Sequence, residues 1–347
     1  MKTSSLIISI SACLVAYTLP AAAQQEAEPL FQSNSTVDIQ LSTPWRDVQR
    51  GDEDESWPAS LTWTDENGQQ STLELTVEQR GKSRLEKCSV PPIKLKFDKR
   101  VKVEGLFYQQ KSLKLVTHCK NPEKWQQYYI LEMLAYRIYN LVTDYSFRVR
   151  PFEITYYDTE RDKAEDPRFA FVIEDDKAVA RRHGLEKLKI KKTTPARLDP
   201  VEASRLALFQ MMVGNVDWSP IIGPDDGCCH NVKLIGLDPE TDPIIAIPYD
   251  FDATGLVDAP YAEPNAFLPV KSVRDRLYRG YCAHNATLGQ ARSELISLRT
   301  EILALFDNES RLNKRSRKKA LKYIESFYEL LNSDSEFEED VVSQCRG

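Results

Sequence analysis

Beyond Leu19 this chain of 347 residues has no apolar run long enough to cross a bilayer, no internal repeat and no glycine-rich stretch. The first absence excludes a membrane-spanning helix in the body of the protein. The second excludes a repeat array, and the third a loop of glycine amides wrapped around a phosphate. Histidine is scarce as well: His118, His183, His230 and His284 are widely spaced, a thin supply for a histidine-rich metal centre. Positive charge does not prevail. The formal net charge is −6, one unit more negative without Lys2, which argues against nucleic acid as a partner.

What the chain does have begins at its first residues. Lys2, an apolar stretch from Leu6 to Leu19, and Ala21-Ala22-Ala23 follow the order of a secretory signal peptide, with cleavage expected after Ala23. A lipoprotein-type site at Ile10-Ser11-Ala12-Cys13 is the rival reading. The mature protein is then expected to be periplasmic or secreted and not transmembrane. Six cysteines remain in that oxidising setting, Cys88, Cys119, Cys228, Cys229, Cys282 and Cys345, and they are expected to form disulfides whose pairing stays open. A zinc site of Cys228, Cys229, His230 and Cys282 competes with this, but adjacent cysteines lack the spacer that turns two thiolates toward one metal.

Hydrophobic content of 41% beside charged content of 28% is that of a globular chain able to bury a full core. Alternating apolar residues predict strands at 37–41, 60–63, 72–77, 93–97, 113–116, 152–156 and 169–173, with a hairpin turning at Asn67-Gly68. From Glu123 the apolar spacing changes to that of a long buried helix, through Tyr129, Met133 and Tyr136. Helices dominate beyond Pro200, with segments predicted at 201–213, 293–306 and 318–331. The basic runs at 187–192 and 314–322 are read as solvated surface, with a hold on an acidic protein substrate as the alternative.

The densest polar chemistry lies in three short stretches: Gly214-Asn215-Val216-Asp217-Trp218, then His230-Asn231-Val232, then Pro248-Tyr249-Asp250-Phe251-Asp252. A carboxylate after a helix, an amide before a strand and an Asp-x-Asp pair after another strand suit metal-assisted phosphoryl transfer. One carboxylate orients the attacking hydroxyl, while the amide and a second carboxylate hold the divalent ion. The bland alternative makes each of these residues a turn or loop cap.

This order resembles the CotH family of atypical kinases, and so does the upstream pair Arg80-Gly81-Lys82-Ser83 and Pro92-Ile93-Lys94-Leu95-Lys96-Phe97. The likeness runs from about Arg80 to Gly255. It implies an α+β, protein-kinase-like two-lobed fold: a signal peptide (1–23), a flexible arm (24–35), a sheet-rich N-lobe with one long helix (36–176) hinged at 174–176, and a helical C-lobe (177–347). The implied activity is transfer of phosphate from ATP, with Mg²⁺ or Mn²⁺, to a hydroxyl of a protein or an envelope glycan. Asp217 would be the catalytic aspartate, and Asn231, Asp250 and, on an extended strand, Asp252 the metal ligands. Lys114 on a strand with Glu132 on the long helix has the order of the lysine–glutamate pair that positions phosphates, with Lys94 and Lys96 as competitors. Arg80, Lys82 and Arg84 would cover the phosphates by charge. Two other functions remain open: a catalytically inactive kinase-fold binding or scaffold protein of the envelope, and a metal-dependent hydrolase using Asp217, His230, Asp250 and Asp252.

Overall fold

The computed structural model describes residues 26–52, 55–65, 67–81, 87–223 and 227–347. The expected signal peptide, Lys82 and Arg84 lie outside them. In the first half, β1 (Val37–Thr43), β2 (Ser56–Thr64), β3 (Gln70–Gln79), β4 (Ile93–Lys96), β5 (Ser112–Val116), β6 (Val149–Asp158) and β8 (Arg168–Ile173) form one sheet. A two-residue strand, β7 (Lys163–Ala164), hangs from β6. Neighbours pair antiparallel in the order β1-β2-β3-β4-β5-β8-β6, and β6 then pairs parallel with β1, in register from Val37 opposite Phe152 to Thr43 opposite Asp158. The sheet therefore closes on itself as a seven-stranded mixed barrel, which removes its free edges.

The barrel is filled by the inward half of each strand, including Leu41, Leu61, Val77, Leu95, Leu115, Phe152, Ile154 and Val172. Residues 24–35, expected to be a flexible arm, are in part docked: Leu30 and Phe31 are buried in the same cluster. β8 is apolar on both faces. Ala170 and Val172 point into the barrel, while Phe169, Phe171 and Ile173 meet a helix outside it.

That helix is α2 (Gln126–Val142), which follows the short α1 (Trp45–Arg50); Ile130, Met133, Leu134, Ile138 and their neighbours bury it on nearly every side. Beyond the barrel come α3 (Asp176–Arg182), α4 (Pro200–Val213), α5 (Asn285–Ser297), α6 (Arg299–Asp307) and α7 (Lys314–Asn332). A three-stranded antiparallel sheet lies between them, with β10 (Val232–Gly236) flanked by β11 (Ile245–Pro248) and β9 (Glu186–Lys187). The single helix predicted over 293–306 is two helices meeting at Leu298.

The kinase-like two-lobed arrangement, a sheet-rich N-lobe over a helical C-lobe, is not what the chain builds. Its sheet is a closed barrel, and α2 belongs to one apolar cluster that runs without interruption from the outer face of β8 through α4 to α7. Nor is 174–176 a hinge. Glu174 is buried, pairs with Arg182 at 3.2 Å and accepts from the Arg148 amide at 3.1 Å, while Asp175 caps α3 through the Lys177 amide.

The six cysteines pair as Cys88–Cys119, Cys228–Cys229 and Cys282–Cys345, which removes the zinc alternative. Among the described residues no helix is long and apolar enough to cross a membrane. Disulfides and this feature together are compatible with an extracellular or periplasmic protein.

His118, just past β5, is buried against the edge of the Tyr156 ring and contacts the Thr117 hydroxyl at 3.1 Å. Burial first, and the Arg168 charge second, push its pKa down to about 4. The unfolded chain binds that proton near pH 6.5, so this contribution to stability is complete above 6.5 and is lost as pH falls toward 4. It amounts to about 3 kcal/mol. Melting temperature followed from pH 7 to pH 4 is expected to fall more steeply for the wild type than for His118→Gln.

Candidate functional site

Asp199 starts α4 by accepting from the Val201 and Glu202 amides, and Gly214 ends it in the left-handed conformation at φ 67°. The chain leaves through Asn215, whose buried side-chain oxygen accepts from the Asp217 amide at 3.0 Å. This turn presents Asp217 outward, its side chain 54% exposed. The long excursion that follows is closed at its base by a two-way bridge between Ser219 and His230, at 2.9 and 3.0 Å. Closure returns His230 and Asn231 to Asp217. His230 Nε2 lies 2.9 Å from Asp217 Oδ2, and Asn231 Nδ2 donates to the Asp217 carbonyl at 2.8 Å and to Oδ2 at 3.3 Å.

Asn231 precedes β10 and Tyr249 follows β11; the Tyr249 amide donates to the Asn231 carbonyl at 3.0 Å, so both lie at one end of this strand pair. Two non-glycine residues there, Asn231 at φ 50° and Asp250 at φ 68°, occupy the left-handed region. Such backbone costs on the order of 1 kcal/mol or more per residue and collects at functional sites, although Asn and Asp tolerate it best. Asp250 is held from across the core, its amide donating to the Tyr136 hydroxyl of α2 at 3.0 Å. Tyr136 stands one helical turn after Glu132, on the same face. Burial, then the Glu132 and Asp250 carboxylates, hold the Tyr136 pKa well above its usual value, while Arg80 opposes them. Arg80, Glu132 and Asp250 therefore share one electrostatic neighbourhood.

Cations complete it. The Lys233 ammonium, on β10, lies 4.6 Å from the centroid of the Tyr249 ring, and the Lys114 ammonium, arriving from β5, lies 5.6 Å from the same ring. Loss of water around the ammonium, then the charges of Arg80 and Lys233, hold the Lys114 pKa below the ordinary lysine value, against Asp176 and Asp175. Much of the Lys114 side chain still reaches solvent, so the two neighbouring cations are the firmer cause.

The structure thus gathers Asp217, Asn231, Asp250, Lys114, Glu132 and Arg80 around Tyr249 and Tyr136. It treats Asp252 differently. The left-handed turn at Asp250 ends the extended run, so strand alternation no longer relates the two aspartates. Between them Phe251 is buried, packing edge-on against Tyr136 and Phe209, and Asp252 accepts from the Tyr261 hydroxyl at 3.0 Å. Lys94 and Lys96, the competitors of Lys114, pair with Glu78 on β3 at 3.3 and 2.8 Å. Sequence reasoning gave Lys233, Tyr249 and Tyr136 no role, and set His230 beside Asp217 only in the hydrolase alternative. Lys233 had a signal, as a polar residue between Val232 and Leu234 on a buried strand; Tyr136 had none, being one apolar residue of many in α2.

No protein-family model matches the chain, and no curated protein matches it. Whatever the site does must therefore be argued from its own chemistry. Among the described residues no three His, Cys, Asp or Glu side chains are grouped to hold a metal ion. An ion bound entirely by such side chains does not fit. The Asn231 amide oxygen and the Asp250 carboxylate are hard oxygen donors, and Mg²⁺ is commonly held by one or two such groups together with phosphate oxygens and water. That lesser requirement fits the residues present.

Proposed function

We propose that this protein is an exported phosphotransferase that moves the γ-phosphate of ATP to a hydroxyl of a protein or envelope acceptor, as its motif resemblance to the CotH family suggests. The observation that carries the reading is the Asn231–Asp217 hydrogen bond set beside Asp250 and a cluster of cations, Lys114, Lys233 and Arg80. Phosphoryl transfer asks a protein mainly for positioning and charge neutralisation, and a site of this composition can supply both without any particular fold. In this reading Asp217 accepts the proton of the attacking hydroxyl. Lys114 and Lys233 bind phosphate oxygens, with Arg80 closing over them and Glu132 assigned to orient this cationic side by resemblance. Asn231 and Asp250 would hold Mg²⁺ or Mn²⁺, whose bound charge neutralises the phosphates as they react. Three disulfides favour work in an oxidising compartment.

A second reading has one observation in its favour. Asp217 is already engaged by both His230 and Asn231, and a non-catalytic scaffold that binds nucleotide would keep that engagement. Binding comes first in either case. ATP with Mg²⁺ at a hundred times its dissociation constant stabilises the folded chain by about 2.7 kcal/mol, read as a rise in melting temperature. The rise is expected in the wild type and is expected to shrink in Asp250→Asn and in Lys114→Met. No rise with any nucleotide and metal removes both readings.

A further inference from the structure

Two arginines near Asp217 have no role in the chemistry above. Arg182, Arg205 and Arg311 each meet a carboxylate within 3.2 Å. Arg279 and Arg346 meet none among the described residues, and the Nε of each is buried without a hydrogen-bond partner there. Backbone pairing and a disulfide bring these two residues together. The last residues run back beside 280–282: the Cys282 amide donates to the Arg346 carbonyl and the Arg346 amide to the Gly280 carbonyl, both at 2.9 Å, and the Cys282–Cys345 disulfide fixes the pairing. Arg346 then lies over Tyr281, 4.3 Å from the ring centroid, and over Trp218 at 5.8 Å, and it donates to the Arg279 carbonyl. Trp218 directly follows Asp217, and its indole N–H is also buried without an acceptor among the described residues.

The neighbourhood is thus rich in donors, with the Asp217 carboxylate and the Tyr281 hydroxyl beside them. Burial holds both guanidinium pKa values below the usual arginine value. Arg279 opposes protonation of Arg346, while the Asp217 carboxylate favours protonation of Arg279. Among the described residues Asp217 is the one carboxylate that acts on this pair of half-buried cations, and it acts on Arg279 alone; a second anion beside Arg346 offsets the cost of keeping the two together. The exposed face of Asp217 opens to solvent, so an extended polymer can approach it.

We propose that Arg279 and Arg346 form an acceptor subsite that binds a carboxylate flanking the accepting hydroxyl, so that the acceptor is a serine or threonine in an acidic peptide. The inference rests on the phosphotransferase reading for the role of Asp217, but its binding chemistry is separately measurable. The C-terminal disulfide becomes part of the recognition site, since it holds Arg346 in place.

The test is fluorescence polarisation with labelled serine peptides whose flanks are Asp/Glu, Asn/Gln or Lys, with an oligogalacturonate as the anionic glycan probe. The acidic peptide is expected to bind about tenfold tighter than its amide counterpart, with the preference falling at high salt. Arg279→Gln and Arg346→Gln remove the preference, and Arg279→Glu transfers it to the Lys-flanked peptide. If a variant fails to fold by its melting curve, the wild-type comparison and its salt dependence decide. Equal affinity for acidic and amide peptides overturns the subsite; if ATP still raises the melting temperature, the phosphotransferase reading survives that result. Acidic preference that depends on Arg279 in a protein with no nucleotide response upholds the subsite and removes that reading. Arg279-dependent binding of oligogalacturonate and not of peptide overturns the acceptor class.

Discussion

Asp217→Asn is expected to lower phosphate transfer by about 10²- to 10⁴-fold while leaving the KM for ATP nearly unchanged. The substitution keeps the side chain's size and its contact with the Asn231 amide, and removes the negative charge and with it the capacity to take a proton. Phosphate contacts come from other residues, so a loss confined to kcat separates a base from a ligand-binding group. The His230 imidazole adds a pH signature. Its hydrogen bond to Asp217, which outweighs burial, and the charges of Asp217 and Asp250 raise its pKa above 6.5. Protonated, it donates to the carboxylate and makes that oxygen a weaker base. Transfer should therefore rise with pH as His230 loses its proton, and His230→Gln should flatten that rise. A profile of kcat against pH from 6 to 9 for both proteins reads it directly.

Arg182→Ala is expected to cost about 3–5 kcal/mol, a large part of the stability of a typical domain. Arg182 and Glu174 are both almost wholly buried, at 4% and 0% side-chain exposure. The arginine also ties two loop carbonyls, Asp144 and Ser146, to the end of α3. Removing it strands a carboxylate whose pKa burial already raises. The variant should recover part of its deficit as pH falls and Glu174 takes up a proton. The double substitution Glu174→Gln with Arg182→Met should lose less than the single one, because no buried charge is left unanswered. Urea midpoints at an unchanged m-value give both comparisons.

The strands and the long helix were legible because their signals are local, whereas the cysteines could be expected to pair but their partners, up to 63 residues apart, could not be read. Period-two alternation in 72–77 and unbroken apolar spacing from Tyr129 to Tyr139 each reflect a face that one element must bury. Barrel closure was not legible. It depends on Val37–Thr43 lying parallel to Phe152–Asp158, and such pairing between distant segments leaves no trace in either strand taken alone. The break at Leu298 was hidden for the opposite reason, since apolar spacing continues across it. In the site, Asp217 and Asn231 could be matched by residue type and order, but the Ser219–His230 bridge that brings them together is made of backbone groups and carries no side-chain signature. For Asp252 the rule for extended strands does not apply, because Asp250 before it is left-handed.

Phosphate transfer at this site requires Asn231 and Asp250 to hold a divalent ion jointly against a nucleotide. The most direct measurement is the electron paramagnetic resonance signal of Mn²⁺ titrated into the protein with a non-hydrolysable ATP analogue. Free Mn²⁺ signal should fall on adding wild-type protein only when the nucleotide is present, and Asn231→Ala and Asp250→Ala should each weaken that binding by about tenfold or more. Binding of Mn²⁺–nucleotide that both substitutions leave intact would contradict it.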